Sequence, residues 1–136
     1  MMKFLAFLPS LALLGVASFL QDNPPPAAAF KVPPELVGKS NPVKPTPDGL
    51  AHAHKVWGYD CAICHGITGD GNGEIAHDMK PPLKDYRDPA ALKDLSDGEL
   101  FYIIQKGKDQ MPSEGDRAKP EDIWNLVTVV RSFAKK

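Results

Sequence analysis

The sequence predicts an all-α fold of three main helices joined by long loops. Three observations carry that expectation. Apolar residues recur at helical spacing in three stretches. Those stretches are bounded by capping residues, glycines and prolines. No two segments alternate as paired strands.

Asp48 can cap a first helix running through Leu50, Ala53, Val56 and Trp57 and ending near Gly58 to Asp60. Gly66 to Gly73 holds four glycines in eight residues and is expected as loop. Pro81-Pro82 is a second break. Asp88-Pro89 is expected to open a short helical stretch through Leu92. Ser96 and Glu99 have the spacing of a capping box. The helix they start runs through Leu100, Phe101, Ile103 and Ile104 and stops at Gly107. Lys119-Pro120-Glu121-Asp122 begins the last helix with proline and acids in the first turn. Its buried side is expected to carry Ile123, Trp124, Val127, Val130 and Phe133.

A chain of 136 residues is expected to be one domain with appendages. Residues 1–20 read as a signal peptide or N-terminal membrane anchor, 21–47 as a Pro-rich linker and 48–136 as the domain. Lys3 precedes the apolar run Phe4 to Leu20, which Pro9 and Ser10 interrupt. Gly15, Ala17 and Ser18 offer small residues for cleavage, which suits a processed signal. Either reading puts the domain beyond the cytoplasmic membrane, in a periplasmic or other extracytoplasmic space. The prolines between 24 and 47 forbid a continuous helix and suit an extended spacer, either a tether or a plain leader. Charges balance, 16 Lys+Arg against 17 Asp+Glu, so no basic face points to a nucleic acid.

Two cysteines are too few for a disulfide framework, and they stand in Cys61-Ala62-Ile63-Cys64-His65. This is the C-x-x-C-H pattern of covalent haem attachment. Two thiols one helical turn apart can reach the two vinyl groups on one porphyrin edge, and the adjacent imidazole can ligate the iron. A thioredoxin-like C-x-x-C would need a βαβ context, which is missing. A structural zinc site needs four ligands, and His52, His54 and His77 have no recommending spacing. A haem would also give a small, loop-rich domain the apolar centre it otherwise lacks.

The iron then needs a sixth ligand or an open position. Outside the N-terminal segment, Met79 and Met111 offer thioethers. Met111 precedes Pro112 in a loop that can fold across the far face of the haem, so it is the favoured ligand, with His77 next. The alternative for a lone Met is core filling. Lys106 and Lys108 flank this loop and either face a partner or are ordinary solvated lysines.

From about residue 49 to 134 the chain resembles the class I c-type cytochromes, and is similar to the monohaem domains of respiratory oxidase c-type subunits. The resemblance rests on Cys61 to Gly66, Gly69 to Gly73 and Pro81 to Asp85. It continues through Leu95 to Phe101 and Ile104 to Gly107, and closes with Met111-Pro112 and Ile123 to Val127. It implies a cytochrome c-like fold around one covalent haem c on Cys61 and Cys64. His65 and Met111 are the implied axial ligands. It implies too that a carbonyl of the Pro81-Pro82 stretch, Pro82 foremost, accepts from the His65 ring N–H. Aligned on Cys61 and Trp124, the family's Gly–aromatic helix crossing falls on Ala53 and Val129, a volume-conserving exchange. Ser113 to Gly115 stands where the family commonly has an aromatic.

The expected function is electron transfer with redox partner proteins in a respiratory chain, without bond-making catalysis. Two alternatives stay open: a haem subunit docked permanently in a membrane oxidase or dehydrogenase complex, and an open-site haem enzyme or sensor if Met111 is not a ligand.

Overall fold

A computed structural model describes residues 30–134; the expected signal or anchor and the first part of the linker lie outside them. The described residues form α1 (Pro47–Val56), a π-helical turn (Trp57–Cys61), α2 (Ala62–His65), a 3-10 turn (Ala76–Asp78), α3 (Asp97–Lys106) and α4 (Pro120–Ser132). Three main helices and long loops are therefore found as expected. The sole β pairing among the described residues is an isolated bridge between Lys108 and Met111.

Helix starts and stops differ from the sequence expectation where two local signals competed. The cap of α1 is Thr46, whose hydroxyl accepts from the Gly49 N–H at 3.1 Å, and Pro47 takes the first helical position. Asp48 lies inside the first turn. The stretch after Asp88 is a run of turns. The Asp88 carboxylate takes the Ala90 N–H at 2.8 Å, and such a local bond competes with helix formation. The Ser96 box forms as expected: the Ser96 N–H donates to Glu99 Oε2 at 2.8 Å and the Glu99 N–H to Ser96 Oγ at 3.3 Å.

The core lies where α4 packs between α1 and α3. Phe101 stacks on Trp124 with ring centroids 4.2 Å apart. Leu126 and Val129 are each 1% exposed, so α4 is buried over more of its circumference than an amphipathic stripe predicts. Ala53 and Val129 both lie in this core, and α1 approaches α4 tightly one turn earlier as well. A Cβ on Gly49 would stand 2.8 Å from Asn125 Nδ2.

A further layer covers part of α4. Residues 33–43, from the stretch read as a linker, lie against α3 and α4. Asn41 donates through Nδ2 to the Trp124 carbonyl at 2.9 Å and to Thr128 Oγ1 at 3.0 Å. Its N–H meets Asp97 Oδ2 at 3.0 Å, and the Gly98 N–H donates to the Lys39 carbonyl at 2.9 Å. Arg131 closes the other end of α4 onto Asp97 at 2.9 Å and onto the carbonyls of Leu92 and Leu95.

Candidate functional site

The chain stays helical from Pro47 through His65 and does not stop at Gly58. The Ala62 N–H reaches back to the Trp57 carbonyl, a wider turn than an α-helix makes. One inserted residue rotates the downstream helix by about 100°. Trp57 thereby enters the core at 3% exposure, while Cys61 and Cys64 line a cavity. The end of α2 is closed by the glycine-rich loop. Gly71, Gly73 and Ile75 donate to the carbonyls of His65, Cys64 and Ile63 at 2.8, 3.0 and 3.1 Å, satisfying acceptors a helix end leaves open.

Aromatic rings fix His65. Tyr86 stacks on the imidazole at 5.2 Å with 23° between planes, and Trp57 lies at 5.9 Å. Trp57 is itself pinned by donating from Nε1 to the Ile67 carbonyl at 3.2 Å. Burial lowers the pKa of His65 and favours the neutral imidazole. Burial also pushes the Tyr86 hydroxyl up to about 12.

Cys61, Cys64 and His65 line a cavity of about 310 Å³ together with Leu92, Leu95, Leu100 and Ile103. Met79, Pro81, Pro82 and residues 108–112 line it too. The volume is at the lower end of small-molecule sites, roughly 300–1,000 Å³. Both methionines reach this cavity. Met111 alone of the two also lines a second, smaller recess shared by His65, Trp57 and Tyr86. His77 is exposed beside Asp78 at 3.4 Å and does not line either space, nor do His52 and His54.

The Met111 loop is built by close backbone packing. Met111 and Lys108 exchange N–H···O bonds at 2.8 and 3.1 Å. Gly107 turns the chain with φ at 73°, and a Cβ there would stand 2.4 Å from the Met111 carbonyl oxygen. The Glu114 and Gly115 N–H groups then donate to the Ile104 and Gln105 carbonyls, each at 3.0 Å.

Acidic groups gather at Cys61. Its thiol is pushed up to about 12, first by burial and then by the nearby Glu114 and Asp60 carboxylates. Glu114 is 4% exposed and pairs with Arg117, which also reaches Asp60 at 3.3 Å. Tyr86, Asp60, Glu114 and Arg117 were not legible as site residues. Their spacing carries no motif, and only the fold gathers them.

These residues fit the haem expected from the sequence. Two free thiols one turn apart and an imidazole share one mainly apolar cavity with a thioether. His65 Nδ1 is buried with no hydrogen-bond partner. Such a group costs about 1–3 kcal/mol until a partner is supplied.

Comparison with known proteins agrees. Residues 48–128 match the family described as cytochrome c oxidase, cbb3-type, subunit III. Cytochrome c6 of Pyropia tenera is 32% identical over 87 residues, covering 64% of this chain and 95% of that protein. The KustC0563 c-type cytochrome structure superposes with a TM-score of 0.55 at 25% identity, covering 61% of this chain and 98% of that one. A chain of the Kuenenia stuttgartiensis reducing HAO-like protein complex Kustc0457/Kustc0458 shares the fold, with a TM-score of 0.58 at 22% identity. That match covers 69% of this chain and 47% of that one.

Proposed function

The chain belongs to the c-type cytochrome family described as cytochrome c oxidase, cbb3-type, subunit III, and we propose that it is a one-electron carrier holding a single covalent haem c. One observation carries the reading: Cys61, Cys64, His65 and Met111 line the same cavity. A haem bound there supplies an iron that alternates between ferrous and ferric states.

The chain's own residues orient and shield that centre. Cys61 and Cys64 would hold the porphyrin edge as thioethers. His65 and Met111 would be the axial ligands, a pair that raises the reduction potential. Leu92, Leu95, Leu100 and Ile103 exclude water from the cavity. Pro82 is the proposed acceptor for the His65 ring N–H in the loaded protein, a bond this structure does not contain. With both axial positions filled, the domain has no place for a substrate and acts as a carrier. The C-x-x-C-H motif occurs once, which supports one haem.

The apolar run Phe4 to Leu20 supports an extracytoplasmic, periplasmic setting, and the family description supports a place in a respiratory chain. No helix among the described residues is long and apolar enough to cross a membrane. The family description favours a second reading, a haem subunit of an oxidase complex. Sizing after extraction with and without detergent separates a free carrier from a membrane-held subunit.

Optical spectra of the exported protein test the primary reading. Haem absorbance that survives acid-acetone extraction and a ferric far-red sulfur-to-iron band are expected. Extractable haem overturns covalent attachment, and high-spin ferric iron without the band overturns Met111.

A further inference from the structure

The loop that brings Met111 to the cavity is joined to the attachment helix by one side chain that the proposed mechanism does not use. Arg117 pairs through one guanidinium nitrogen with Glu114, three residues after Met111. Its other terminal nitrogen lies 3.3 Å from the carboxylate of Asp60, the residue before Cys61. Asp60 and Glu114 both line the cavity, Asp60 from the π-helical turn and Glu114 from the loop that carries Met111. We propose that Arg117 is a positioning residue, a clamp that holds the Met111 loop closed against the Cys61 wall and so keeps the thioether at the iron. This rests on the reading of Met111 as axial ligand.

The charges explain why a cation is needed there. Glu114 is almost fully buried, and Asp60 faces it as a like charge. Without Arg117 a buried carboxylate loses its counter-ion and meets only another acid. Glu114 then either takes up a proton or moves outward with the loop, where water solvates it. Backbone bonds from Glu114 and Gly115 to the end of α3, with the Met111–Lys108 exchange, fix the loop's own backbone but do not tie it to the Cys61 wall. The link to Asp60 is the part that spans the two walls. It is half exposed and is the weaker member of the pair.

Imidazole titration of the ferric, haem-loaded protein reads loop opening, since imidazole takes the iron only when Met111 leaves. The midpoint is followed by loss of the far-red sulfur-to-iron band. Arg117→Gln is expected to lower the midpoint roughly tenfold, in line with loss of a hydrogen bond to a buried charge. Asp60→Asn weakens the link between walls while also removing the like charge that faces Glu114, so its expected net effect is smaller, a midpoint lowered roughly threefold. Arg117→Lys should recover part of the loss. Asn41→Ala, remote from the cavity, should destabilise the fold with an unchanged midpoint.

A wild-type band with unaltered midpoints in Arg117→Gln and Asp60→Asn overturns the clamp and leaves the ligand reading standing. A wild type without the band overturns that reading and the clamp with it. If Arg117→Gln does not fold, Asp60→Asn and Arg117→Lys decide: midpoints equal to wild type overturn the proposal, and lowered ones support it. An Asn41→Ala midpoint that falls as far as that of Arg117→Gln also overturns it, since general loosening would then suffice.

Discussion

Asn41 donates its side-chain amide to the carbonyl oxygen of Trp124 at 2.9 Å, across 83 positions of sequence. That bond makes the proline-rich segment before α1 a structural layer of the domain. Asn41 Oδ1 accepts from the Val43 N–H at 2.9 Å, so the same side chain also shapes its own turn. Asn41→Ala is expected to destabilise the protein by about 1–2 kcal/mol. Denaturant unfolding followed by tryptophan fluorescence checks it, and an unchanged midpoint would show that the segment does not support the core.

Gly107 cannot be replaced without moving Met111. Its φ of 73° and ψ of 167° lie in a region that is essentially glycine-only, and the Met111 carbonyl blocks a Cβ. Gly107→Ala is expected to cost about 1–3 kcal/mol. The far-red band should weaken in the same variant; a full-strength band would mean that the loop accommodates the change.

The Tyr86–His65 stack predicts a difference between two substitutions. Tyr86→Phe keeps the ring and should keep the stability, because no hydrogen bond from the hydroxyl supports His65. Tyr86→Leu removes the stack and should cost about 1 kcal/mol beyond its change in buried area. Equal unfolding midpoints for the two variants would argue against the stack as the support of His65.

Glu99 gives a pH dependence with a defined sign. Hydrogen bonds from the Ser96 backbone and side chain hold its carboxyl below the ordinary glutamate value of 4.5. The folded state therefore favours the ionised form. Its contribution is present above the unfolded value and is lost as pH falls through the lower folded one. Glu99→Gln should flatten the acid limb of a stability-against-pH curve. Parallel acid limbs in wild type and variant would refute the assignment.

The all-α class, the Ser96 box, the C-x-x-C-H triad and the Met111-Pro112 loop are all local patterns, and they are legible because each acts within a few residues. Sequence spacing puts the cap of α1 at Asp48, but it lies at Thr46, since Pro47 takes the first helical position and shifts the start two residues earlier. The helical path through Gly58 was hidden. A π-helical turn lets a glycine pass where spacing alone reads a stop, and its reward is burial of Trp57, which only tertiary packing supplies.

By itself the sequence determined that two thiols and an imidazole stand together at Cys61, Cys64 and His65, since their spacing along the chain is covalent. The tertiary structure decided what surrounds that triad. Tyr86 reaches His65 across 21 positions, Arg117 meets Asp60 across 57 and Asn41 meets Trp124 across 83. Such pairs depend on where packed helices bring distant backbone together, and no periodicity along the chain records that.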